Sequence, residues 1–163
     1  MNKKFIIKKL QTKDASKIID VEKLAFKRFP NGQFEKEDIE HYLIKDNSYC
    51  FGIFKETKLF AFIITEIKGK NLYITDLAVH PESRKKKLAS CLLQRLISIE
   101  NKFSSIFLHV SIENTKAIKL YLKHGFTIEV IRPKYYSNHE YGKNQGAVVM
   151  RKKCKKAKKI KSY

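Results

Sequence analysis

Nothing in this 163-residue chain approaches the roughly 20 consecutive apolar residues needed to cross a bilayer. The longest apolar stretches, such as Leu59 to Thr65, are strand-length and interrupted, so no membrane span is expected. Met1 to Leu10 mixes lysines into its apolar residues and lacks the continuous hydrophobic region of a secretory signal. Cysteine is also scarce. Cys50, Cys91 and Cys154 are odd in number, far apart and not at metal-ligand spacing, which excludes a disulfide framework and suggests no zinc site. A reducing intracellular setting fits best. Acidic residues are outnumbered 16 to 35 by Lys and Arg, leaving a formal charge of +19. Residues 151 to 163 alone hold eight basic side chains and no acidic one.

What is present is enough for one hydrophobic core: 43% of the residues are apolar, and the length is too short for two ordinary domains. Phe5 to Ile7 suggests a first strand, followed by a helix from about Asp14 to Arg28 with Thr12 or Asp14 as a cap. Phe29-Pro30-Asn31-Gly32 reads as a turn, because proline stops a helix and Asn-Gly favours positive backbone angles. A short helix over Glu35 to Ile44 follows. Three strands, Tyr49 to Phe54, Leu59 to Ile67 and Leu72 to Val79, are separated by short polar turns that suit an antiparallel meander.

From Arg84 the period changes. Leu88, Cys91, Leu92, Leu96 and Ile99 fall on one helical stripe, which predicts a helix over Arg84 to Glu100. Ile106 to Ser111 reads as a strand, Asn114 caps a helix that Gly125 ends, and Phe126 to Ile131 and Ala147 to Met150 read as the last strands. Strands before and after helices imply an α+β, mixed architecture of about seven strands and four helices.

The most informative segment is Leu77-Ala78-Val79-His80-Pro81-Glu82-Ser83-Arg84-Lys85-Lys86-Lys87-Leu88-Ala89, where a strand turns into the long helix. Amides in a first helical turn lack internal partners and the helix dipole adds positive potential, so such a junction can hold a pyrophosphate. Taken alone, a basic run at a helix start is more often a solvated face. Downstream come Leu108-His109-Val110, then Asn114-Thr115-Lys116-Ala117-Ile118-Lys119-Leu120-Tyr121, then His124-Gly125-Phe126 and Pro133-Lys134-Tyr135-Tyr136. In this order and spacing the segments resemble the GNAT superfamily of acetyltransferases over nearly all of residues 3 to 152. The resemblance is strongest to protein N-terminal acetyltransferases of the RimI, NatE and NatA catalytic type.

The resemblance implies acetyl-CoA as cofactor and residues 1–152 as the catalytic domain. Arg151 to Lys161, too basic to bury apolar surface, are expected to be disordered or to fray from the final strand, with 153–163 as a basic, flexible tail. Arg84, Lys85, Lys86, Lys87, Leu88 and Ala89 look like the pyrophosphate loop. Leu77, Ala78 and Val79 look like the strand whose backbone pairs with pantetheine and the acetyl carbonyl. Asn114 and Tyr121 look like residues facing the cofactor, with Tyr121 near the sulfur. Tyr73 and His109 look like the pair handling the amine proton, and Phe29, Pro30, Tyr135 and Tyr136 like the walls of a pocket for a peptide N-terminus. One position departs from the family pattern, because Lys87 stands where its first glycine belongs. A side chain there could obstruct the phosphates. Alternatively, ordinary helical geometry could point Lys87 outward or toward a phosphate.

An α-amine with an unperturbed pKa of about 7.7 to 8.0 must lose a proton before it attacks. His109 is the natural base, with Tyr73 positioning a water, although a strand histidine on its own is commonly a satisfied structural residue. Tyr121 can donate to a departing thiolate, or fill the core as an amphipathic tyrosine. Phe29, Pro30, Tyr135 and Tyr136 could equally be loop residues at the rim of the core. No metal is required. The tail could neutralise phosphates and contact RNA at a ribosome, or act as a nuclear signal, against the alternative of solubilising charge. The expectation is a cytoplasmic enzyme acetylating protein N-termini, with an auxiliary subunit conceivable. Its rivals are acetylation of lysine side chains or another small amine, and a non-catalytic RNA-binding adaptor that has lost the cofactor through Lys87.

Overall fold

The computed structural model describes residues 4–26, 34–44, 48–136 and 145–155. Seven strands form one sheet in the order β1-β2-β3-β4-β5-β7-β6. They are β1 (Ile6–Lys9), β2 (Phe51–Lys55), β3 (Lys58–Lys68), β4 (Asn71–Val79), β5 (Ser105–Ser111), β6 (Thr127–Tyr136) and β7 (Gln145–Lys153). Neighbours pair antiparallel except β4 with β5, which run parallel because a helix returns the chain between them. Four helices cover the faces: α1 (Ala15–Ala25), α2 (Lys36–Ile44), α3 (Leu88–Ile97) and α4 (Thr115–Lys123). The mixed α/β fold expected from the element order is what forms.

Two cores follow from the two faces. On one side, Ile53, Ile63, Leu72, Ile106 and Leu108 of the sheet bury against Leu88, Leu92 and Leu96 of α3 and Tyr121 of α4. On the other, Phe54, Phe62, Ile64 and Ala78 bury against Ile18 and Val21 of α1 and Ile39 and Leu43 of α2. Buried side chains on both faces of the central strands explain why β3 reads as a near-continuous apolar run.

Several boundaries differ from expectation: α1 ends at Ala25 instead of Arg28 and β6 runs to Tyr136 instead of Ile131, and α3 and β7 differ as well. The third helix begins at Leu88, not Arg84, because Lys85 (φ 63) and Lys87 (φ 60) take left-handed backbone angles that no helix can incorporate. It stops at Ile97, and a 3-10 turn over Glu100–Lys102 follows. The last strand runs to Lys153 instead of Met150, so Arg151 to Lys153 belong to the sheet and do not fray from it. They pair with Phe107, Ile106 and Ser105 of β5, and Lys152 Nζ lies 3.5 Å from Glu100 Oε2. Asn114 caps α4 as expected, its side chain accepting the Ala117 N–H at 3.2 Å, and Gly125 ends it at φ 83.

Candidate active site

The site is built where β4 and β5 part. Their parallel ladder runs from Asn71 opposite Ser105 to Ile74 opposite Leu108 and ends there. Beyond it β4 continues along β3, while β5 continues along β7. The cause lies in β4. Ile64 of β3 pairs with Asp76 but Thr65 pairs with Ile74, which leaves Thr75 as an extra residue; its Oγ1 donates to the Ile64 carbonyl at 3.1 Å. Such a bulge bends and twists its strand, here away from β5. It also reverses the alternation. Leu72 and Ile74 point to the α3 side, and after the bulge Leu77 and Val79 take over that side while Ala78 joins the core beneath α1.

Next to the cleft, the junction into α3 presents a distinctive backbone. His80 accepts the Glu82 N–H at 3.4 Å and Pro81 opens a 3-10 turn, after which Arg84 to Lys87 carry the chain to the helix. Lys87 is neither obstructive in a helical conformation nor turned outward by one. It takes the left-handed conformation in which glycine is usually found, as does Lys85. Lys85, Lys86 and Lys87 are exposed and Leu88 anchors the junction in the core. Arg84 points elsewhere: its guanidinium donates to the Ala25 carbonyl at the end of α1, at 3.0 Å. An anion held here would meet amides free of helical partners, the positive end of α3 and three lysines, a set of donors that fits a diphosphate.

On the α1 side of the sheet, opposite the α3 core, lie Tyr73, Phe107 and His109. Tyr73 stacks on Phe107 with ring centroids 5.3 Å apart. His109 Nδ1 is 3.2 Å from the Tyr135 hydroxyl, with the rings 4.9 Å apart. Partial burial, then the positive charges of Arg132 and Lys68, push the His109 pKa below its usual 6.5. The imidazole is therefore neutral near pH 7 and able to accept a proton.

Tyr121 sits on α4 at 7% exposure, edge-on to Phe126 at 5.6 Å, so it is part of the core. Asn114 is exposed and engaged as the α4 cap. Phe29 and Pro30 lie outside the described residues, and so does the side chain of Tyr136, the last residue of β6. Thus the structure brings His109 and Tyr135 together, keeps Tyr73 on the same face, and leaves Arg84 on α1.

Sequence reasoning missed Glu22 and Asp76. Glu22 is 2% exposed in α1, its Oε1 accepting the Phe34 N–H at 3.0 Å. Asp76, just past the bulge, has its pKa pushed up to about 8 by burial and by the charge of Glu22, against a lowering bond from the Leu77 N–H. A polar residue inside the apolar run Ile74 to Val79 was the available signal.

Residues 17–126 match the acetyltransferase (GNAT) family. The chain belongs to that family. It is accordingly an acetyl-CoA-dependent acyltransferase. Over 134 residues, 80% of this chain and 86% of the relative, it is 30% identical to the ribosomal protein bS18-alanine N-acetyltransferase of Escherichia coli (strain K12). Over 92 residues it is 32% identical to the N-terminal acetyltransferase B complex catalytic subunit NAA20 of Arabidopsis thaliana. That match takes in 52% of this GNAT chain and only 53% of the plant protein, about half its length. Its fold superposes on the crystal structure of the ribosomal-protein-S18-alanine N-acetyltransferase from Escherichia coli with a TM-score of 0.80, covering 98% of this chain and 100% of that one at 22% identity.

Proposed function

We propose that this GNAT enzyme acetylates the α-amino group of protein N-termini by direct attack of the amine in a ternary complex. The observation that carries the reading is His109, neutral and held by Tyr135 on the open face where β4 and β5 part. Relatives named for N-terminal acetylation support it.

The residues divide the work by position. When bound, acetyl-CoA supplies an acetyl group activated as a thioester. The amides from Arg84 to Ala89 and the ammonium groups of Lys85, Lys86 and Lys87 would hold its diphosphate. Backbone N–H groups on the edge of β4 that faces away from β3 where the ladder with β5 has ended, between Leu77 and Val79, would stabilise negative charge on the carbonyl oxygen. With the His109 proton on Nδ1 and donated to the Tyr135 oxygen, Nε2 is left to accept a proton from the attacking nitrogen, with Tyr73 placing a bridging water. Tyr121 donates its phenolic hydrogen to the leaving sulfur. Tyr135 would wall the pocket for the first peptide side chain, and Phe29, Pro30 and Tyr136 are assigned to the same pocket from the sequence resemblance. The setting is cytoplasmic, and the basic residues beyond Lys153 would contact ribosomal RNA by counterion release; an auxiliary subunit would supply any further docking.

Peptides with free and pre-blocked N-termini test the reading. Acetylation of the free peptides alone supports it, whereas equal activity on blocked, lysine-containing peptides reassigns the enzyme to lysine side chains.

A further inference from the structure

Two carboxylates on the acceptor face take no part in that scheme. Glu22 Oε2 and Asp76 Oδ2 are both buried with no hydrogen-bond partner. Buried carboxyl oxygens are costly to leave unpartnered, and a core position with no function selects against them. They come from different layers: Glu22 descends from α1, and the Thr75 bulge turns Asp76 off the α3 side to meet it. Without that extra residue, period-two alternation would put Asp76 beside Leu72 and Ile74.

The reaction supplies a reason for such a pair. Between an ammonium and an amide, nitrogen sheds two protons, and His109 accounts for one. We propose that Glu22 and Asp76 form the seat for the incoming ammonium and that Asp76 Oδ2 removes its first proton. This rests on the reading that the acceptor is an amine. An N–H bond breaks, an O–H bond forms on Asp76, and the electron pair stays on nitrogen for attack. His109 takes the second proton as the C–N bond forms and the C–S bond breaks, the departing sulfur takes the Tyr121 proton, the His109 proton restores Tyr121 through water, and Asp76 returns its own to solvent.

Three features fit. An ammonium carries N–H donors for both orphaned oxygens at once. The electrostatics grade across the face, from Arg132 and Lys68 around His109 to carboxylates beneath α1, which draws a cation toward Asp76. Glu22 is the charged group acting on Asp76, and it feels Lys23 of its own helix and Glu35 and Asp38 at the start of α2. The resulting Asp76 pKa of about 8 matches that of an α-ammonium, so proton transfer between them is nearly balanced.

The test is the pH profile of kcat/KM with a free-N-terminus peptide, alongside acetyl-CoA affinity by calorimetry. Asp76→Asn is expected to lower kcat/KM by about 100-fold, to turn a profile that peaks near pH 8 into one that rises through pH 8 with the free amine and does not fall, and to leave acetyl-CoA affinity unchanged. Glu22→Gln removes the like charge and one oxygen of the seat, so it is expected to move that profile to lower pH and to raise the peptide KM, which a purely structural role would not do. Should Asp76→Asn fail to fold by circular dichroism, the Glu22→Gln shift decides. An active wild type whose profile neither variant moves overturns the seat alone. A wild type that binds acetyl-CoA and acetylates no amine overturns the seat and the amine reading together.

Discussion

The Tyr135 hydroxyl lies 3.2 Å from Nδ1 of His109 and joins β6 to β5 across β7, the strand between them. With Nδ1 donating to the hydroxyl, as the proposed mechanism requires, Nε2 remains to take a proton. Replacing His109 with Gln is expected to lower kcat by about 100-fold with little effect on acetyl-CoA affinity. Tyr135→Phe keeps the ring and removes the oxygen, so its loss should be smaller and confined to kcat. Steady-state kinetics of the two variants check both.

The left-handed conformation of Lys87 has a measurable cost. A non-glycine residue there is strained by about 1 to 2 kcal/mol, and glycine gives back about 0.4 to 1 kcal/mol through its freer unfolded chain. Lys87→Gly should therefore stabilise the protein by up to about 1 kcal/mol, a rise of roughly 2 to 4 °C in melting temperature. The same variant removes one cation from the junction, so its acetyl-CoA affinity should depend less steeply on salt.

Asp76 makes stability depend on pH. Its folded pKa of about 8 is above its ordinary value of 3.8, so the folded state holds the proton more tightly than the unfolded chain. The contribution is fully present below pH 4 and is lost as pH rises through 8. Asp76→Asn does not titrate, so relative to the wild type it should gain in melting temperature from pH 4 to pH 8. Melts at several pH values check the sign.

Asn114→Ala removes the side-chain oxygen that accepts the Ala117 N–H. The loss of this cap is expected to cost about 1 kcal/mol, and denaturant melts would read it.

Much of this site was legible one residue at a time. Alternation in Leu108-His109-Val110 puts His109 on the face opposite two core residues, and the buried pattern of β5 agrees. The start of α3 was not legible, because a run of one arginine and three lysines carries no glycine to mark the two positive φ angles. Nor was the length of β7: Arg151 to Lys153 look like tail by composition, and only their pairing with β5 makes them strand. Glu22 and Asp76 escaped for a further reason. They are 54 positions apart, and period-two counting puts Asp76 on the wrong face unless the bulge at Thr75 is known.

The account depends on the Arg84 to Ala89 junction accepting a diphosphate with lysine in the glycine-like conformation. Calorimetric titration of the full chain with acetyl-CoA tests this directly. The account predicts saturable one-to-one binding that weakens with added salt; heats no larger than dilution, from folded protein at millimolar cofactor, would contradict it.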